Sequence, residues 1–191
     1  MKKVFLSAAL FAAFALSLFS QSDETLFGRS GLRFTGAWGA STTNLTFFED
    51  DFAIVNGGYG GLEFGKNVFI GWGGFRTANN FEIDRFDNDR FEMRYNGLML
   101  GYAPGSFKVL HPKFMLLTGG GRLKVAGENS DEIFVLQPSA GVEINVFKWF
   151  RLGLEGGYRF VADADLLNIK DADISAPFGE LTFKFGWSWG N

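Results

Sequence analysis

The sequence contains no cysteine, and it has only one histidine and four prolines in 191 residues. Without cysteine the chain cannot form disulfides, thiol-based active sites, cysteine-based zinc sites or a lipidated N-terminal cysteine. The formal net charge of −3 offers no basic surface for nucleic acid. Phosphate loops, haem motifs and nucleotide fingerprints are also missing. We therefore expect no enzyme, no bound cofactor and no nucleic-acid partner.

The single histidine, His111, is a poor candidate for catalysis. A Ser-His-acid arrangement needs its histidine beside the nucleophile. His111 precedes Pro112 in a predicted connection, far from the acidic segments of the chain. The sequence predicts an exposed polar residue at this position.

Long hydrophobic runs are absent except at the N-terminus. The segment MKKVFLSAALFAAFALSLFSQS has two lysines, an apolar run from Val4 to Phe19 and small residues at its end. This pattern predicts a secretory signal peptide over residues 1–22 and a mature domain over 23–191, with cleavage after Ser20 as an alternative. A retained anchor helix is a second interpretation, but the run is shorter than the roughly 20 residues that a spanning helix needs.

Aromatic residues and glycine are abundant, with 24 Phe, five Trp, four Tyr and 26 Gly. Large aromatics with many glycines are typical of sheets that have tight turns and crowded positions. No segment of the mature chain keeps a helical period. The sequence predicts eight strands, near 31–40, 53–65, 67–77, 91–102, 113–125, 133–146, 150–162 and 178–190.

Apolar and polar residues alternate along these strands, so each strand has one apolar face. In the last segment, FKFGWSWGN, the aromatic face consists of Phe183, Phe185, Trp187 and Trp189. Near the first strand, Leu32, Phe34 and Trp38 oppose Arg33 and Thr35. Two strands, at 93–102 and 113–125, carry charged residues on the face that also holds leucine and phenylalanine, which a bulge or a partly apolar plug could explain.

The connections alternate between two sets, one for each end of the barrel. One set is predicted at 65–67, 103–112 and 147–149 and is short except for the ten residues of 103–112. The other set, at 41–52, 78–90, 126–132 and 163–177, is mostly longer. The long connections hold 14 of the 21 acidic residues. Their closely spaced aspartates could bind Ca²⁺, but none fits a complete twelve-residue calcium loop. We expect solvated acidic loops and no specific metal site.

Alternation alone does not say which face lies inside a barrel. A secreted lipocalin would place the apolar face inside, and Gly36-Ala37-Trp38 matches the Gly-x-Trp of the first lipocalin strand. An eight-stranded barrel, however, has an interior just wide enough for its own side chains or one small ligand. The last strand alone would send four large aromatics inside. The sequence therefore favours aromatics that face lipid around a narrow polar lumen.

These features resemble the small outer-membrane barrels of the OmpA/OmpX type over residues 23–191. The resemblance implies an all-β, eight-stranded antiparallel up-and-down transmembrane barrel in the outer membrane of a Gram-negative-type envelope, surrounded by lipid and expected to be monomeric. In that superfamily an aromatic last strand is part of the signal that the barrel-assembly machinery recognises. Here that role would belong to Phe183, Phe185, Trp187 and Trp189.

The charged faces predict a lumen network of five acidic and seven basic side chains, since buried charges must be paired or hydrogen-bonded. The predicted members are Arg33, Glu63, Glu92, Arg94, Arg122, Lys124, Glu143, Arg151, Glu155, Arg159, Glu180 and Lys184. The first interpretation is a closed, salt-bridged plug in a structural or interaction protein whose acidic loops face outside. The alternatives are a narrow porin-like ion channel and a secreted, lipocalin-like ligand-binding barrel.

Overall fold

The computed structural model describes residues 33–48, 51–78, 91–125, 130–163 and 171–189. The predicted signal peptide at 1–22 and most of the acidic connections lie outside these residues, and what was expected of them stays a prediction. Within the described ranges, no helix is long and apolar enough to cross a membrane. One short helix, α1, covers Asp171–Ile174.

Eight antiparallel strands form a closed barrel in which each strand pairs with its neighbours in sequence. The strands are β1 (Phe34–Phe48), β2 (Asp51–Phe64), β3 (Val68–Thr77), β4 (Phe91–Tyr102), β5 (Leu110–Val125), β6 (Asp131–Phe147), β7 (Phe150–Ala162) and β8 (Ala176–Ser188). Closure pairs β1 with β8, from Gly36 opposite Ser188 to Thr46 opposite Phe178. Closure satisfies the strand edges, as a barrel in hydrocarbon requires. The predicted fold is confirmed.

The first predicted long loop, at 41–52, is wrong. Strand β1 continues to Phe48 and β2 begins at Asp51, so most of the segment is paired strand. Thr42, Asn44 and Thr46 are buried, and they alternate with more exposed neighbours. The segment was assigned to a loop because it is polar, but β-branched threonines also favour strands.

A bulge in β1 reverses the predicted orientation of Trp38. The register of β1 against β2 shifts between Phe34 and Gly36. A bulge adds one residue to one strand and re-aims the side chains that follow it. As a result Phe34 is 41% exposed outside the barrel, whereas Trp38 is only 3% exposed and points inside.

The outer surface of the barrel is apolar over its middle. Leu154 is 62% exposed and Trp187 is 60% exposed. Large side chains of the same kind are exposed on most of the strands, including Leu62, Ile70, Trp72, Leu98, Leu100, Phe114, Val142, Leu181, Phe183 and Phe185. A patch of this size is far larger than a soluble monomer exposes. It matches the lipid-facing band of a transmembrane barrel.

The short turns lie at the opposite end from the acidic connections. Between β2 and β3, Gly65 and Lys66 both have positive φ, which is the geometry of a type I′ hairpin turn. At the β6–β7 turn, the rings of Phe147 and Trp149 stack with their centroids 5.5 Å apart, and the ring of Phe150 lies 5.9 Å from that of Trp149. Such aromatics mark the membrane interface of a barrel.

Candidate functional site

The barrel interior has two tiers. Toward the short-turn end lies a charged tier, defined here as Glu63, His111, Lys113, Glu143, Arg151, Glu155, Glu180 and Lys184, all buried. Toward the long-connection end lies an apolar tier, defined as Ala53, Val55, Phe75, Met93, Leu123, Ile133, Val135, Val161, Ile174 and Ala176, also buried. The sequence predicted a polar lumen, with a partly apolar plug as one explanation for the mixed faces of the strands at 93–102 and 113–125. The apolar tier shows that this holds only for part of the interior.

Glu143 is the centre of the charged tier. Its carboxylate lies 3.1 Å from Arg151, 3.3 Å from Lys184 and 3.7 Å from Lys113. The ring of His111 lies 3.3 Å away as well. These partners come from β5, β7 and β8, while Glu143 is on β6. One carboxylate therefore joins four strands through charge-assisted contacts, which are the stronger class of hydrogen bond.

The carboxylate of Glu155 has three partners. Lys113 Nζ lies 2.6 Å from Oε1, Ser139 donates to Oε2 at 2.9 Å, and Thr182 donates to Oε1 at 3.4 Å. Lys113 also donates to the hydroxyl of Tyr59 at 2.9 Å. These contacts supply the hydrogen bonds that a buried ion pair needs if it is to offset its desolvation.

Glu63 connects strand β2 to the same network of charged side chains. Ser188 donates to its Oε1 at 2.6 Å, and Arg151 lies 3.5 Å from its Oε2. The guanidinium of Arg151 also lies 4.0 Å from the ring centroid of Trp38. A cation over an indole face is attracted by the ring quadrupole, so the inward Trp38 helps to hold Arg151 in place.

A polar layer separates the two tiers. The hydroxyl of Tyr95 donates to Gln137 Oε1 at 2.8 Å, and Arg159 Nε donates to the same oxygen at 3.0 Å. Arg159 Nε also donates to the Tyr95 hydroxyl at 3.1 Å. Arg159 is 0% exposed, so this polar layer is buried inside the barrel.

His111 is not the exposed turn residue that the sequence predicted, because β5 begins at Leu110. It is 2% exposed, and both ring nitrogens face oxygen acceptors. Nδ1 lies 3.1 Å from the carbonyl oxygen of Lys108, and Nε2 lies 3.3 Å from Glu143. Neither nitrogen is oriented to accept a proton from a hydroxyl, so a serine-based triad is not assembled here.

Seven of the twelve predicted lumen charges are buried inside the barrel. They are Glu63, Glu143, Arg151, Glu155, Arg159, Glu180 and Lys184. The prediction was wrong for Arg33, Glu92, Arg94, Arg122 and Lys124, which are exposed. The last four share their strand faces with outward Leu98, Leu100, Phe114 and Leu116. They stay in water because they lie at the long-connection ends of β4 and β5, beyond the apolar band.

Two inward residues of β5 were missed, His111 and Lys113. The signal for them was present in the alternation. The sequence puts Phe114 and Leu116 on the strand face of Arg122 and Lys124, which were predicted to lie in the lumen. The opposite face of β5, which holds His111 and Lys113, was therefore not assigned to the lumen. The predicted strand began at residue 113, and this start hid the inward His111.

The described interior offers no metal site, since no group of three or more potential ligands occurs in the described ranges.

The predicted assembly-signal residues Phe183, Phe185, Trp187 and Trp189 are 38%, 47%, 60% and 48% exposed on the outer face. This placement is the opposite of a lipocalin-type barrel, which would turn its aromatic face inside.

Comparison with known proteins agrees on the fold. No protein-family model matches the sequence, and no curated protein matches it. Among solved structures, the chain is similar to Neisserial surface protein A, with a TM-score of 0.57 and 15% identity over 85% of this chain and 99% of that one. It is also similar to the N-terminal β-barrel domain of Pseudomonas aeruginosa OprF, with a TM-score of 0.55 and 11% identity over 81% and 98% of the two chains. The expected resemblance to small outer-membrane barrels is confirmed at the level of fold. Together with the apolar outer band, this fold is that of a transmembrane β-barrel.

Proposed function

We propose that this protein is a non-enzymatic, sealed outer-membrane barrel that anchors acidic connections at the outer surface. The observation that carries the proposal is the filled interior. Four carboxylates, four Lys or Arg side chains and one histidine are buried there. Equal numbers of carboxylates and of Lys or Arg side chains suit a plug better than a selective pore, which would line its path with one sign of charge.

The apolar tier supports the same conclusion. A recess of about 670 Å³ at the short-turn end is lined by Arg151 and Ser188, so water can approach the charged tier from that side. Above it, Val55, Met93 and Val135 are each 0% exposed. Ions would have to cross this mostly apolar layer, and an unpaired charge in an apolar medium is strongly unfavourable.

The outer end of the barrel is strongly acidic in sequence. The segments 49–50, 78–90, 126–130 and 163–175 contain eleven acidic residues and three basic ones. Long loops of outer-membrane barrels face the outside of the cell. A sealed barrel with such loops serves as an anchor for interaction with a cationic partner surface.

We further propose that the barrel acts as a monomer and that the outward aromatics of β8 are recognised by the barrel-assembly machinery.

A planar-bilayer recording tests the sealed state against the channel alternative. Wild-type protein whose insertion is verified by protease protection should give no discrete current steps. The matched variants are Arg151→Gln, in the charged tier, and Lys148→Gln, which removes one exposed base at the same end of the barrel. Steps in the wild type that change with Arg151→Gln but not with Lys148→Gln would establish a channel and overturn the proposal.

A further inference from the structure

Three arginines stand side by side on the outer face of the barrel. Arg76 on β3 pairs with Arg94 on β4, and Arg94 pairs with Arg122 on β5. All three side chains are exposed on the same face of the sheet. Directly opposed residues have their Cβ atoms roughly 4.5–5.5 Å apart, and like charges at that spacing are destabilising. We call Arg76, Arg94 and Arg122 the arginine row.

Among the described residues, little counter-charge lies beside this row. Arg122 NH2 lies 4.0 Å from Glu132, and both side chains are largely exposed. Glu92 is paired in register with Lys124 rather than with an arginine. Arg76 and Arg94 make no ion pair within the part of the chain that the structure describes. Within the described strands, the row is therefore a concentration of positive charge that an anion would stabilise.

The surface next to the row forms a groove. About 500 Å³ of open space is lined by Arg94, Asn96, Gly120, Arg122 and Glu132. Asn96 faces Gly120 across the β4–β5 pair and Gly74 across the β3–β4 pair. Small residues here leave room beside the guanidinium groups, and Asn96 adds hydrogen-bonding capacity. Guanidinium groups bind phosphate oxygens through paired N–H donors.

The residues toward the membrane centre are apolar. One step beyond Asn96, Trp72 pairs with Leu98, and after that Ile70 pairs with Leu100. Trp72 is 60% exposed and the two leucines are also exposed. The outer face thus presents a basic row, a small polar row and an apolar surface in succession. A ligand that matches this succession has a phosphate head group followed by acyl chains.

We propose that the arginine row and its groove bind the phosphate-bearing head group of an anionic lipid in the outer leaflet. The lipid's acyl chains lie along Trp72, Leu98 and Leu100. The site is on the outside of the barrel, and it is independent of whether the interior is sealed. It explains why three like charges share one cross-strand row just beyond the apolar band, at the level where lipid head groups lie.

The test uses the mature protein in phosphatidylcholine vesicles that contain a small fraction of phosphatidic acid. In separate samples, one of the two lipids carries bromine on its acyl chains. The readout is quenching of Trp72 fluorescence in a background whose other four tryptophans are replaced by phenylalanine. Trp72, beside the groove, should be quenched more by brominated phosphatidic acid than by brominated phosphatidylcholine. The row variant is R76Q/R94Q/R122Q. The matched control is K66Q/K108Q/K148Q, which removes the same charge at the short-turn end.

The row variant should lose the preference for phosphatidic acid, with a relative binding constant lower by roughly fivefold or more for each arginine. The control should keep the preference. Equal preference in wild type and row variant would overturn the proposal, as would an equal loss in the control. If inorganic phosphate at modest concentration removes the preference, the site takes the free ion and the lipid assignment is wrong. Should the triple variant not fold, R76Q and R94Q as single variants give the same comparison.

Discussion

Lys113 bridges two carboxylates inside the barrel. Its Nζ atom lies 2.6 Å from Glu155 Oε1 and 3.7 Å from Glu143 Oε2. The three residues are on β5, β6 and β7, and their side chains are at most 2% exposed. A buried ion pair is weak evidence for stability in itself, but loss of one partner leaves an uncompensated charge. The bridge therefore predicts different results for single and double replacement.

We expect Lys113→Met to lower the free energy of unfolding by about 3–5 kcal/mol, because it leaves Glu155 with only hydroxyl partners. The double variant Lys113→Met with Glu155→Gln should recover much of this loss, since the unpaired charge is gone. Urea unfolding of the protein in lipid vesicles measures both. A double variant no more stable than the single one would refute the bridging role.

The inward orientation of Trp38 can be measured by fluorescence. In variants that keep a single tryptophan, with the others replaced by phenylalanine, brominated acyl chains should quench Trp187 strongly and Trp38 weakly. The reason is that Trp187 is 60% exposed on the outer face and Trp38 is 3% exposed inside. Similar quenching of the two would mean that the bulge in β1 does not turn Trp38 inward.

The lipid-facing assignment predicts a depth-dependent penalty on β7. Leu154→Arg puts a charge near the middle of the apolar band, where it should cost about 2–4 kcal/mol. Ala162→Arg is the matched control on the same outer face, at the last residue of the strand. There the cost should be at most about 1 kcal/mol. Comparable stability of the two variants in unfolding titrations would show that the facing is misassigned.

The proposed assembly signal predicts a difference between two equally exposed tryptophans. Trp187 and Trp72 are both 60% exposed. Trp187→Ser should slow insertion by the purified barrel-assembly machinery several-fold, while Trp72→Ser should not. Both variants should fold alike into vesicles without the machinery, because the two changes remove similar apolar surface. An identical effect of the two variants on assisted insertion would remove β8 from the recognition signal.

The alternation of side chains was enough to predict most of the fold. Strands β4 and β7 end where the sequence placed them, because their apolar periods are bounded by clear connections. The charges on β7 and β8 were also placed inside correctly, since they oppose Leu154 and Phe183 along single strands. Period-2 patterning carries this information without any knowledge of the partners.

Other features depend on what surrounds a strand. A charged residue such as Arg94 shares its strand face with Leu98. Only the position of each residue along the barrel axis decides whether its outward side chain contacts water or lipid. The bulge before Trp38 is set by pairing with β2 and has no signature in the β1 sequence alone. The Glu143 cluster joins four strands, so no local segment reveals it.

The central claim is that the apolar tier closes the interior to water, and the absence of cysteine makes this directly testable. Val135→Cys places a thiol at a position that is 0% exposed inside the barrel, and Arg122→Cys places one on the exposed outer face. A charged, membrane-impermeant thiol reagent is added to the folded protein in vesicles, with the long-connection end accessible. We predict complete reaction at residue 122 and none at residue 135 over the same time. Comparable reaction rates at the two sites would show a water-filled interior and contradict the sealed barrel.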